Sequence, residues 1–125
     1  MTETLKDQAC IVGIGETEYS KNSGRSEMRL ALESIMAACD YAGISPKDID
    51  GIVRFSVDSN QVDEIARNLG LDNVRFFPEV FFGGGAGCGT IQMAAMAVAL
   101  GKANYVVCFR ALNERSGFRY GQMAG

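Results

Sequence analysis

The sequence contains no histidine. A Cys–His or Ser–His catalytic pair therefore cannot be assembled from this chain alone. Basic excess is missing too: 12 Lys and Arg face 15 Asp and Glu, a net charge of −3, with a pI of about 4.9. That excludes the electrostatic footprint of a nucleic-acid binder. The N-terminus, MTETLKDQ, has no apolar core of a signal peptide, so a cytoplasmic location is expected. No apolar run reaches the roughly 20 residues that span a membrane. The four cysteines, Cys10, Cys39, Cys88 and Cys108, have no CxxC spacing. An even count invites disulfides, but those suit short secreted chains. Buried free thiols are expected at Cys10, Cys39 and Cys108, and no metal site. With 47% hydrophobic residues in 125, disorder is excluded and one domain's worth of chain is present.

What is there centres on Phe81–Gly101, FFGGGAGCGTIQMAAMAVALG. It reads as a strand end, a glycine turn and a helix with Cys88 near its start. From Thr90 to Leu100 the one strongly polar side chain is Gln92. A helix apolar all round is buried on all sides, so an interior helix covered by two layers is expected.

The remaining chain alternates. Ala9–Ile14 reads as a strand buried on both faces. A helix is predicted over Glu27–Tyr41, capped by Ser26 and ended by Gly43. Ser45 and Pro46 open a single turn, and Ile49–Val57 reads as a second strand. A short helix over Asn60–Leu69 has Ser59 or Asn60 as its cap and Gly70 as its end. Val74–Phe82 is strand-like, with Pro78 arguing for an edge. Ala103–Ala111 reads as a further buried strand. The order β-α-β-α-β-α-β predicts an α/β fold with a largely parallel sheet. Leu112–Gly125 ends without a closing element, which reads as a piece of a larger protein.

Three readings of the glycine turn compete. A dinucleotide site needs G-x-G-x-x-G, and every register starting at Gly83, Gly85 or Gly87 fails. The Gly13-Ile14-Gly15 turn fails as well, with Glu18 at its third glycine position. In the second reading Cys88, at the positive end of a helix dipole, is a nucleophile; its bland counterpart is a small residue allowing helix and sheet to pack closely. The third keeps backbone N–H groups of the turn as an oxyanion element and uses no cysteine.

These residues resemble the thiolase superfamily, which stacks two similar α/β halves and buries a helix from each between their sheets. Within it the likeness is to the lipid-transfer-protein branch, related to sterol carrier protein x thiolase and including steroid side-chain aldolases. It is carried by IVGIGETEYSKNSGRSE at 11–27, DIDGIVRFSVDSN at 48–60, FFGGGAGCGT at 81–90 and FRALNERSGFRYGQ at 109–122. The resemblance implies a thiolase-like fold, with residues 1–125 as its N-terminal half, cut before the last strand. It implies an acyl-CoA carbon–carbon lyase or acyltransferase, with retro-aldol cleavage preferred over thiolysis. Aligning the family's C-x-x-G with Gly84–Gly87 puts Gly84 at the nucleophile position and Cys88 about one helical turn further on.

Gly83, Gly84, Gly85, Ala86, Gly87 and Gly89 would then face the substrate, with Cys88 as acyl carrier in the thiolase alternative. A non-catalytic acyl-CoA- or lipid-binding subunit is the other alternative. Acid–base groups would come from the C-terminal half, and the CoA thioester is substrate, with no cofactor. A homodimer and an OB-fold partner subunit are also implied. The segment after the last strand looks like the family's G-G-x-E-x-M-S loop, so Arg110, Asn113, Glu114 and Arg115 are expected to order the site and the interface. The bland reading there is a solvated loop, with Arg110 as a paired structural arginine. Arg54 and Asp58 read either as cleft-lining groups or as exposed charges.

Overall fold

The structure is a computed structural model, described over residues 4–81 and 83–117. Three parallel strands, β1 (Gly51–Phe55), β2 (Glu79–Val80) and β3 (Val106–Phe109), form a sheet in the order β2-β1-β3. Helix α1 (Glu27–Ala42) precedes β1, and helices α2 (Val62–Leu69) and α3 (Ala86–Ala99) make the connections between strands. Leu30, Ile35 and Cys39 of α1 and Ile65 of α2 share one core with Ile52 and Phe109. Cys108 points to the other face, where its thiol meets the Thr90 carbonyl of α3 at 3.4 Å. The sheet is therefore covered by α1 and α2 on one side and by α3 on the other. β1 is buried at all five positions because it is central in the sheet, which is why its run is apolar except at Arg54.

Local signals set most boundaries. The Ser26 hydroxyl accepts the Arg29 N–H at the start of α1, and Gly43 ends that helix in the left-handed region. Ser45 and Asp48 form a reciprocal capping box around the Pro46–Asp48 turn. Gly70 closes α2, but Gln61 occupies its N-cap without a side-chain bond. Ser59 and Asn60 do not cap α2, because both side chains are engaged elsewhere. The segment containing Pro78 lies at the sheet edge as expected, shortened to two paired residues plus an isolated bridge from Phe76 to Gly51. Phe82 and residues 118–125 lie outside the described residues.

Two expectations are corrected. Ala9–Ile14 is not a buried strand: it has no regular secondary structure and no ladder partner among the described residues, with Ile14 71% exposed and Cys10 exposed. The segment runs alongside α1 instead. A Cβ at Gly13 would collide with the Ala38 carbonyl oxygen, and one at Gly15 with that of Ser34. Only glycine allows the chain so close to the helix backbone. The segment has the apolar composition of a strand, but a strand also needs a ladder partner, and none is present among the described residues.

The second correction concerns α3. It begins at Ala86, which puts Cys88 in its first turn as expected, but one of its flanks is open. Ala86, Thr90 and Ala97 are buried, while Ile91, Met96 and Leu100 are exposed. One layer covers it within this chain, not two.

Candidate active site

In a parallel sheet the loops leaving the carboxyl ends of the strands meet along one edge, where ligands bind. Here these loops are residues 56–61 after β1, 81–85 after β2 and 110–117 after β3. The glycine turn is the one after β2, at one end of the sheet. Gly83–Gly85 form a 3-10 turn that runs directly into α3, and Gly85 caps that helix with no side-chain bond. The first N–H groups of such a helix have no intrahelical acceptor and carry the positive end of the dipole.

The glycines in this turn are not explained by the chain itself. Among the described residues, a Cβ at Gly84, Gly85 or Gly87 meets no atom within 4 Å. Gly85 has φ −67 and ψ −22, which any residue adopts, and neither Gly84 nor Gly87 has a positive φ. Glycine inside a helix costs about 1 kcal/mol relative to alanine, so Gly87 lowers helix stability with no packing gain in return. At Gly89 a Cβ would approach Val80 at 3.2 Å, a packing reason. Ala86 is buried beneath the turn. The Thr90 hydroxyl donates to the Gly87 carbonyl at 2.7 Å and steadies the first turn of α3.

Cys88 is the third residue of α3 and is exposed. It does not pack between helix and sheet, so the bland reading of that residue is corrected. Among the described residues no side chain bonds to it. The other thiols differ. Burial raises the pKa of Cys39, helped by the Asp48 carboxylate, and burial raises that of Cys108 against its bond to Thr90. Iodoacetamide at neutral pH should therefore label Cys10 and Cys88 within minutes and leave Cys39 and Cys108 unmodified, as read by peptide mass spectrometry. Faster labelling of Cys39 than of Cys88 contradicts the burial described here.

The loops after β1 and β3 are tied down by carboxylates. Arg54 and Asp58, read from sequence as cleft residues or exposed charges, are both buried, Asp58 being 1% exposed. Arg54 donates from Nε to the Asn60 carbonyl at 2.9 Å, from Nη2 to the Asp58 carbonyl, and from Nη1 to Glu79 at 2.5 Å. Beside Glu79 it lines an open groove of about 380 Å³ with Val62, Ala66, Val74 and Phe77. Asp58 Oδ1 accepts from the Asn60 backbone N–H at 2.7 Å and from its side-chain amide at 2.6 Å. Its Oδ2 accepts from the Ala111 N–H at 2.6 Å. Burial raises the Asp58 pKa, opposed by these bonds and by the Arg54 charge.

In the loop after β3, Asn113 is held at several atoms and is the ordered centre of the segment. Its backbone N–H donates to Glu27 at 2.8 Å, its amide donates to the Arg25 carbonyl at 2.9 Å, and its Oδ1 accepts from Ser23 at 2.6 Å. Arg110 is exposed, 5.4 Å from the centre of the Phe55 ring and 3.9 Å from Glu114. That pair is worth little in water, and Arg115 is exposed. No hydrogen bond among the described residues joins the glycine turn to this loop. Ser23, Glu27 and Asn60 escape a reading of the sequence, since each resembles a local turn or cap residue.

The steroid side-chain-cleaving aldolase of Thermomonospora curvata is 56% identical over 117 residues, which is 94% of this chain and 30% of that protein. The chain is a homologue of such aldolases. The 17-hydroxy-3-oxo-4-pregnene-20-carboxyl-CoA lyase of Mycobacterium tuberculosis is 54% identical over 119 residues, 95% of this chain and 31% of that one. A solved Ltp2-ChsH2(DUF35) aldolase superposes on the homologue with a TM-score of 0.83 at 56% identity, covering 86% of this chain and 28% of the other. A monomeric SCP2-thiolase-like protein type 1 from Mycobacterium smegmatis gives a TM-score of 0.64 at 25% identity, over 78% of this chain and 22% of that one. The thiolase-like α/β fold expected from sequence is thereby borne out. No protein-family model matches. The chain spans less than a third of the length of the curated relatives it matches. Among its described residues no helix is long and apolar enough to cross a membrane.

Proposed function

We propose that this chain is the N-terminal part of an acyl-CoA carbon–carbon lyase that works by retro-aldol cleavage. The observation that carries the reading is the open glycine turn at the carboxyl edge of the sheet, where Gly84, Gly85 and Gly87 leave room that packing does not use. In the proposed reaction a β-hydroxyacyl-CoA loses its hydroxyl proton to a base. The carbonyl forms as the Cα–Cβ bond breaks, and the bonding pair passes into the thioester as an enolate. Protonation at Cα then releases the shortened acyl-CoA.

The part assigned to this chain is the oxyanion element. N–H groups of Gly83–Gly89 hold the thioester oxygen as its charge grows, a stabilisation that is often the largest single contribution to catalysis. The base and the acid are assigned to the remainder of the protein, as the resemblance to the thiolase superfamily implies. A steroid side chain as acyl group and a second subunit are supported by the names of the relatives. An OB-fold in that subunit, a homodimer and a cytoplasmic location belong to the same proposal.

The second reading is thiolase chemistry on Cys88, favoured by its exposure in the first turn of α3. The two are separated by Cys88→Ala in the full-length protein with its partner, assayed on a β-hydroxyacyl-CoA. Turnover within about 3-fold of wild type, with no acyl adduct in the wild-type mass spectrum, is the expected result. A loss of about 10³-fold or more, on the scale of removing a catalytic nucleophile, together with an acyl-Cys88 adduct, assigns thiolase chemistry instead. Binding of acyl-CoA without turnover in the wild type assigns a non-catalytic subunit.

A further inference from the structure

The helix dipole does not by itself account for what Glu27 does. Glu27 is the first residue of α1, a position where a carboxylate commonly does no more than face the helix dipole in solvent. The capping bond is already made by Ser26 to the Arg29 N–H. Instead both Glu27 oxygens are spent on other loops. Oε1 accepts from the Ser59 hydroxyl at 2.7 Å, and Oε2 accepts from the Asn113 backbone N–H at 2.8 Å. One carboxylate thus joins the entry to α1, the loop after β1 and the loop after β3.

A second, deeper carboxylate runs in parallel. Asp58, next to Ser59, accepts the Ala111 N–H. The loop after β3 is therefore gripped at alternate backbone donors, Ala111 and Asn113, by two acids from distant parts of the chain. Ser23 and the Arg25 carbonyl complete the grip on the Asn113 side chain. Charge-assisted bonds of this kind are stronger than neutral ones, and together they fix the height of the loop over the sheet edge.

From this geometry we infer that Glu27 is a positioning residue of the active site, acting through Asn113 to hold the loop after β3 in register with the reacting groups. The inference rests on the lyase reading above. A displacement of about 1 Å in such a loop lowers rate far more than binding, by up to about 10²-fold.

The test uses the full-length protein with its partner and a β-hydroxyacyl-CoA. Glu27→Ala is expected to lower kcat by about 10–100-fold with KM within about 3-fold. Glu27→Gln retains both bonds: its amide oxygen accepts from Asn113, and the Ser59 hydroxyl turns to accept from the amide nitrogen. Its kcat should stay within about 3-fold of wild type. The Asn113 amide should exchange faster in Glu27→Ala and at the native rate in Glu27→Gln.

Glu27→Ala turning over within 2-fold of wild type overturns the inference alone. So does a Glu27→Gln as impaired as Glu27→Ala, an Asn113 backbone amide that exchanges at the native rate in Glu27→Ala, or a rate loss that merely tracks a fall in the folded fraction. An inactive wild type overturns the lyase reading and the positioning role together.

Discussion

Arg54→Ala should destabilise the folded chain by about 3–5 kcal/mol, the largest effect expected of a single substitution here. The guanidinium sits in the central strand and holds the loop that follows it, donating to the carbonyls of Asp58 and Asn60. Truncation leaves both carbonyls buried without a donor, at about 1–3 kcal/mol each. It also removes the positive charge that faces Asp58 and Glu79. Arg54→Lys should recover less than half of the loss, because three acceptors surround a planar fork and an ammonium cannot serve them from one point. Glu79→Gln should cost under about 1 kcal/mol, since Glu79 is half exposed and water screens its pair. Urea unfolding with an unchanged m-value measures all three. An Arg54→Ala variant within 1 kcal/mol of wild type would show that the loop holds itself.

Asp58→Asn is expected to cost about 1–3 kcal/mol at pH 7, because one of its three donors would then face an amide NH2 rather than an oxygen. The pH dependence has a definite sign. Burial raises the folded pKa of Asp58 above its unfolded value, the bonds only partly offsetting it. Between those two values the folded chain keeps a proton that the unfolded chain has lost. The stability this group contributes is therefore full below about pH 4 and is lost as pH rises through the folded pKa. The amide that replaces the carboxyl in the variant cannot titrate. The stability gap between wild type and variant should therefore widen on acidification from pH 7 towards 4. A gap that narrows instead means that the three bonds outweigh desolvation.

Much of the fold is legible in the order of residues. Ser26, Gly43, Ser45 and Gly70 mark element ends because caps and left-handed glycines act over a few residues. The apolar run at Ile52–Val53 signals a central strand, and Pro78 an edge. The glycine turn before α3 stands out from spacing alone. Other features are not legible, for identifiable reasons. Ala9–Ile14 has strand composition, yet composition cannot say whether a hydrogen-bonding partner lies alongside it. Arg54 and Asp58 each resemble a surface charge until their partners, some of them 50 residues away, are brought within 3 Å.

What the sequence determined by itself was the kind of elements, their order, the parallel α/β class and the turn that presents backbone donors, since these follow from periodicity and local backbone chemistry. What only the tertiary structure decided was which charges are buried, which glycines have empty space above them, and that Glu27 and Asp58 hold the loop after β3. Those depend on contacts between residues far apart in the chain, and no local pattern of side chains encodes them.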